Sequence, residues 1–237
     1  MKDARSSGTE GPPKRVFMSL NADIHHSDDQ NAFKWGVVDA IDQLGYVPEI
    51  FTPPPGKRFR RALAVRRGWT FQDVEDVMGR CSGHVIVGMP RWLAADKLNQ
   101  EIPLPTEYHH YEGALSHFLK LPTLVFADPS IANRGVFNRA LGRFIVDLPH
   151  DYSLDWLKSD EFHFALGDWH EEMQQRRDVF MGYSSAARGI ANSLKRYIEA
   201  DVGATVLDWH DDSHLEIQSS RKFEPLQRNV VSGFSIY

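Results

Sequence analysis

The sequence predicts an α/β fold: a doubly wound parallel sheet, followed by a second, incomplete β-α-β unit. Three observations predict it. Two unbroken apolar runs of strand length, His84-Val85-Ile86-Val87-Gly88-Met89 and Thr123-Leu124-Val125-Phe126-Ala127, read as strands buried on both faces. Segments with helical spacing alternate with such strands at the short intervals that parallel neighbours need. The opening pattern Val16-Phe17-Met18-Ser19 then returns as Val179-Phe180-Met181-Gly182.

The elements follow in chain order. Residues 1–14 are polar and contain Gly, Ser and two prolines, and they are expected to be a disordered lead-in. Arg15–Leu20 is a first strand opening into the polar loop 21–29. A helix runs from about Gln30 to Leu44, with Phe33, Val37, Val38 and Ile41 inward and Gly45 as its stop. Tyr46–Phe51 is a second strand, which Pro48 marks as an edge. The rigid turn Thr52–Gly56 precedes Arg58, Arg60, Arg61, Arg66 and Arg67, a cluster that ordinarily is a solvated face and that could also receive phosphates. Thr70 caps a helix to Arg80 that turns Phe71, Val74, Val77 and Met78 inward. After the 84–89 strand, Leu93–Pro105 is long enough to be a lid or binding loop.

Thr106 then caps a helix with Glu107 in its first turn and an apolar face of Tyr111, Ala114, Leu115 and Phe118. Pro122 breaks it before the 123–127 strand, and Phe144–Pro149 is the last strand of a domain spanning residues 15–149. Residues 150–177 form a helical connection whose Trp156, Leu157, Phe164 and Trp169 have something to cover. Residues 178–237 restart strand-helix-strand and end too soon to finish a sheet of this class.

Composition narrows the function. A net charge of −5 offers no broad basic field for nucleic acid or an anionic membrane. No window approaches the ~20 apolar residues of a membrane span. The single cysteine, Cys81, excludes an intramolecular disulfide, fits a core thiol and agrees with a cytoplasmic location. His210 and His214, like His25 and His26 with Asp28 and Asp29, have too few fixed companions to specify a metal, so no metal or other cofactor is expected.

The chemistry concentrates after two strands. Met89, Arg91 and Trp92 leave the carboxyl end of the 84–89 strand, where ligands bind in open α/β sheets. Arg91 can meet a phosphate there, and Trp92 or Tyr108 can stack on a base. Glu112 lies off the predicted apolar face, one turn on from Tyr108 and beside Gly113, which leaves room for a ligand. The ordinary reading of such a residue is a solvated helix carboxylate; the sharper one is a group that touches a sugar hydroxyl or a glycosidic carbon. His109 and His110 stand nearby, and a histidine with its ordinary pKa near 6.5 could assist as acid or base.

Glu112-Gly113-Ala114 followed by Leu121-Pro122-Thr123-Leu124-Val125 resembles two related α/β groups, the nucleoside 2-deoxyribosyltransferases and the bacterial TIR-like (Toll/interleukin-1 receptor) domains. The resemblance implies a flavodoxin-like sheet and places ribose contact and glycosidic chemistry on Glu112. The transferases tend to carry an aspartate six residues earlier, where this chain has Thr106. The TIR-like pattern has an aromatic residue a turn before the glutamate, matched by Tyr108, and an opening loop matched by Ser19 and Asp23. It implies cleavage of an N-glycosidic bond in NAD or another nucleotide, as substrate or ligand, by a defence effector. The alternative is a non-catalytic nucleotide-sensing module that self-associates into a homo-oligomer.

Overall fold

The computed structural model describes residues 14–51, 70–140, 145–176, 178–202 and 204–208. The arginines at 58–67, the histidines at 210 and 214, and the expectations for the two chain ends lie outside the described residues. Five parallel strands form the main sheet: β1 (Arg15–Leu20), β2 (Val47–Glu49), β3 (Gly83–Gly88), then two further along the chain, at Thr123–Ala127 and Ile145–Asp147. Between β3 and these lies an antiparallel hairpin of β4 (Trp92–Ala95) and β5 (Glu101–Leu104), so the last two strands are β6 and β7. The sheet order is β2-β1-β3-β6-β7, the layout of flavodoxin-like sheets. β2 is an edge and β3 the centre, as the proline and the apolar run require.

Both faces of the sheet are covered. On one, Val16, Met18, Val85, Val87, Leu124 and Phe126 meet α1 (Asp28–Gln43) and α4 (Asp160–Gln175). Phe33, Val37, Val38 and Ile41 of α1 are all fully buried there, and Ser27 starts that helix with a capping box to Gln30. Gly45 ends the turn at φ 88°, in the left-handed region that favours glycine. The helical connection expected over 150–177 contributes α4 to this layer: Phe162, Leu166, Trp169 and Met173 pack on the sheet, and Trp169 Nε1 donates to the Pro122 carbonyl at 3.0 Å. Phe164 faces away and is exposed.

On the other face, Phe17 meets α2 (Phe71–Met78) and α3 (Glu107–Phe118), while Ile86 and Val125 pack against Ile131, Val136 and Phe137 from the segment after β6. Val74 and Met78 of α2 are buried, whereas Phe71, expected inward, is mostly exposed and lies against the Tyr111 ring at 4.8 Å. α3 buries a polar side rather than its expected apolar face, of which only Tyr111 and Leu115 pack, half-buried, against the Phe17 cluster. His109, Glu112, Gly113 and Ser116 are buried, while Ala114 and Phe118 are exposed. The space beside Gly113 is filled by protein. A Cβ there would lie 2.5 Å from Val136 Cγ2 and 2.8 Å from Val136 Cβ. Gly113→Ala should therefore lower stability: overpacking costs about 1–3 kcal/mol, against about 1 kcal/mol gained in helix propensity. Denaturant unfolding measures the net loss, up to about 2 kcal/mol.

The expected lid is the β4–β5 hairpin. Its turn is set by Asp96, whose carboxylate accepts from the backbone N–H of Leu98 at 2.7 Å and of Gln100 at 2.9 Å, with Asn99 at φ 57°. At the other end of the chain, β8 (Val179–Met181) and β9 (Val206–Asp208) pair in parallel as a separate two-stranded sheet, joined by α5 (Arg188–Tyr197). Met181, Ala191 and Val206 form their small core. Among the described residues no helix is long and apolar enough to cross a membrane.

Candidate functional site

The strand order reverses direction between β1 and β3, and a crevice opens there at the carboxyl ends of the strands. A cleft of about 190 Å³ lies in this position. Leu20, at the end of β1, and Ile50 and Phe51, after β2, give it an apolar side, with Asn21 beside them. Arg91, from the segment after β3, and Thr106, Tyr108, His109 and Glu112, from the start of α3, give it a polar one.

Glu112 stands on a polar chain that runs into the sheet. Strand alternation puts Ser19 on the same face of β1 as Phe17, and β1 pairs with β3 so that Phe17 lies opposite His84 and Ser19 opposite Ile86. Ser19 and His84 therefore project side by side under α3. The Ser19 Oγ lies 2.7 Å from His84 Nε2, and the Ser19 hydroxyl donates to Glu112 Oε2. All three are buried: His84 fully, Ser19 at 1 % exposure and Glu112 at 6 %. Burial pushes the Glu112 carboxyl up to about 7, and the Ser19 hydrogen bond pulls the other way. Burial likewise drives the His84 imidazole down to about 3, so it is neutral.

Three more groups line the cleft with unused polar capacity among the described residues. His109 is 1 % exposed and neither ring nitrogen has a hydrogen-bond partner. Burial first, then the charges of neighbouring histidines and Arg91, bring it down to about 3. It is thus a neutral donor and acceptor, and no reservoir for a proton at neutral pH. Arg91 has an unpartnered Nε, reaches Thr106 Oγ1 only at 3.4 Å, and lies over the Trp92 ring at 4.7 Å. Asn21 adds an unpartnered Oδ1, its amide Nδ2 being fixed on the Met89 carbonyl at 3.0 Å.

Of the residues singled out from the sequence, Glu112, Arg91, Tyr108 and His109 line the cleft, and Ser19 supports Glu112 from behind. Asp23 is engaged elsewhere: it accepts from Lys34 Nζ at 2.6 Å and from Trp35 Nε1 at 3.2 Å. Lys34 is fully buried, also donates to the Asn21 carbonyl at 2.7 Å, and so pins the loop that follows β1. Met89 is buried and holds Asn21 through its carbonyl. Trp92 is half exposed and carries Arg91 over its ring. His84 and Asn21 escaped the sequence reading. The signal for His84 was present, a lone polar residue opening an otherwise apolar strand. Among the described residues no group of three or more His, Cys, Asp and Glu side chains is arranged to hold a metal ion.

Chemically, the cleft presents one buried carboxylate, one guanidinium, a neutral imidazole and an aromatic residue around a volume suited to a sugar ring. No family model, no curated protein and no solved structure matches this chain.

Proposed function

We propose that the cleft binds the ribosyl portion of a nucleotide, NAD among the candidates, and that Glu112 promotes cleavage of its N-glycosidic bond. The observation that carries this reading is the buried Glu112 carboxyl at the switch point of the sheet, lining the cleft and with its pKa raised to about 7. The other buried glutamate among the described residues, Glu49, is offset by an ion pair with Arg15, whereas Glu112 has the Ser19 hydrogen bond against its burial, and perturbed carboxyls cluster where chemistry is done. The base departs with the C–N electron pair, leaving an oxocarbenium-like sugar whose positive charge the Glu112 carboxylate stabilises until water adds to the anomeric carbon and gives up a proton. Arg91 meets the phosphate, His109 and Asn21 the sugar hydroxyls, and Tyr108 the base. The likeness of the Glu112–Val125 stretch to TIR-like domains and deoxyribosyltransferases agrees with this assignment.

The test is incubation of the purified protein with NAD and with nucleoside monophosphates, followed by chromatography for released base. Turnover that rises with pH through about 7, as Glu112 ionises, is the expected result. Ligand binding without base release would instead make the protein a nucleotide-sensing module. Arg91→Gln should weaken binding of a phosphorylated ligand roughly tenfold or more, the loss of one charge-assisted contact, and leave binding of the unphosphorylated nucleoside unchanged. Calorimetric titration of both ligands reads the difference.

A further inference from the structure

We propose that Ser19 and His84 form a positioning relay for Glu112, in which His84 is held as the Nε2–H tautomer, donates to the Ser19 hydroxyl, and thereby commits that hydroxyl to the Glu112 carboxylate. Three elements converge to build it, β3, β1 and α3, and none of the three side chains has appreciable contact with solvent.

The direction of the chain follows from its far end. His84 Nδ1 is buried and has no hydrogen-bond partner among the described residues. A neutral imidazole carries one proton, and a buried N–H without an acceptor is costly, more so than an unused lone pair. The proton therefore resides on Nε2, where Ser19 Oγ accepts it at 2.7 Å. The serine hydroxyl has a single hydrogen, and with His84 occupying one of its acceptor sites that hydrogen points at Glu112 Oε2. The reverse orientation would need Glu112 to donate to Ser19 and Ser19 to donate to His84 Nε2. That would force the proton onto Nδ1 and strand it. The relay thus favours the ionised form of Glu112 and opposes the burial that favours the neutral one.

The other groups around Glu112 do not replace this effect. From α3 come the neutral His109, Tyr108, and Tyr111, whose hydroxyl is turned to Glu75 of α2 at 3.0 Å. Asn21 follows β1, and from the segment after β3 comes Arg91. Burial is the larger influence on Glu112 and the Ser19 hydrogen bond the opposing one. In the proposed reaction, Ser19 and His84 touch no substrate; they act by keeping Glu112 charged and fixed at the sugar.

The experiment is nuclear magnetic resonance of the full chain. Side-chain ¹³C-labelled glutamate, with Glu112→Gln to assign the signal, gives the Glu112 titration midpoint, and ring-¹⁵N histidine gives the His84 tautomer. His84 should stay neutral and protonated at Nε2 across about pH 5 to 8. Ser19→Ala should raise the Glu112 midpoint by about one pH unit, the loss of one hydrogen bond to a charged group. His84→Leu should raise it in the same direction. His84→Gln, whose amide replaces the Nε2–H donor, should restore it to near the wild-type midpoint. A proton on Nδ1, a midpoint unmoved by Ser19→Ala, or equal shifts in His84→Leu and His84→Gln would overturn the relay. Should His84→Leu not fold, the tautomer, Ser19→Ala and His84→Gln still decide it. These readings need no substrate. A protein that lacks turnover yet shows them refutes the proposed function alone, and one that cleaves nucleotides without them refutes the relay alone.

Discussion

Glu112→Gln is expected to abolish turnover, by at least roughly 10²–10³-fold, with the fold intact. The amide keeps the size of the side chain and can still accept from Ser19, so the chain of hydrogen bonds behind it survives. What it cannot supply is negative charge beside an oxocarbenium-like sugar, and a buried site magnifies that loss because no water screens it. Glu107→Gln is the control. Glu107 is exposed at the first position of α3 and about 140° round the helix from Glu112, so it does not enter the cleft. Its carboxylate favours the helix N-terminus by about 0.5 kcal/mol, and its loss should leave activity unchanged. Rates of base release for the two variants side by side separate position from charge. Equal loss in both would show that net charge, and not the buried carboxylate, governs the reaction. No loss in either would end the catalytic reading.

The sheet was legible in the sequence because its signals are local. Val85-Ile86-Val87 and Leu124-Val125-Phe126 carry burial on both faces in their own composition, and Phe33, Val37, Val38 and Ile41 repeat at the helical period. The hairpin was not legible: its strands are four residues each, one contains Pro103, and Leu93 lies exposed, so neither reads as a buried strand. The side that α3 buries departs from its apolar period for a different reason. Tyr111, Ala114, Leu115 and Phe118 satisfy an apolar period, yet the helix turns His109, Glu112 and Ser116 inward, roughly 150° away. Periodicity counts apolar residues and is blind to a polar surface waiting to be matched. Here Ser19 and His84 receive Glu112, and Thr123 pairs with Ser116. Which strand residues make that surface depends on the β1–β3 register, a tertiary fact. Glu112 could be singled out from its sequence neighbourhood, but its burial and its supporting residues could not.

Glu112→Gln should also make the protein more stable in mild alkali. Glu112 titrates near its ordinary 4.5 in the unfolded chain and at about 7 in the folded one, because burial disfavours its charged form. Between those values the folded state holds a proton that the unfolded state has released. Stability therefore declines as pH rises through this window, and the penalty is complete above about 7. Its size is on the order of 3 kcal/mol, a sizeable fraction of a domain's total. The amide in the Glu112→Gln variant cannot ionise and escapes this penalty. The stability difference between Glu112→Gln and wild type should be near zero at about pH 4, grow through about pH 6, and level off above about pH 7. Denaturant unfolding of both proteins across that range isolates the effect, since every other titrating group is common to the two. A difference that stays flat with pH would mean that Glu112 ionises normally in the fold. A variant less stable than wild type at about pH 8 would mean that the carboxylate is held by a favourable charge, with Arg91, which lines the same cleft, as the candidate. Stabilisation together with lost turnover is the signature of a group kept in place for its chemistry at the expense of the fold.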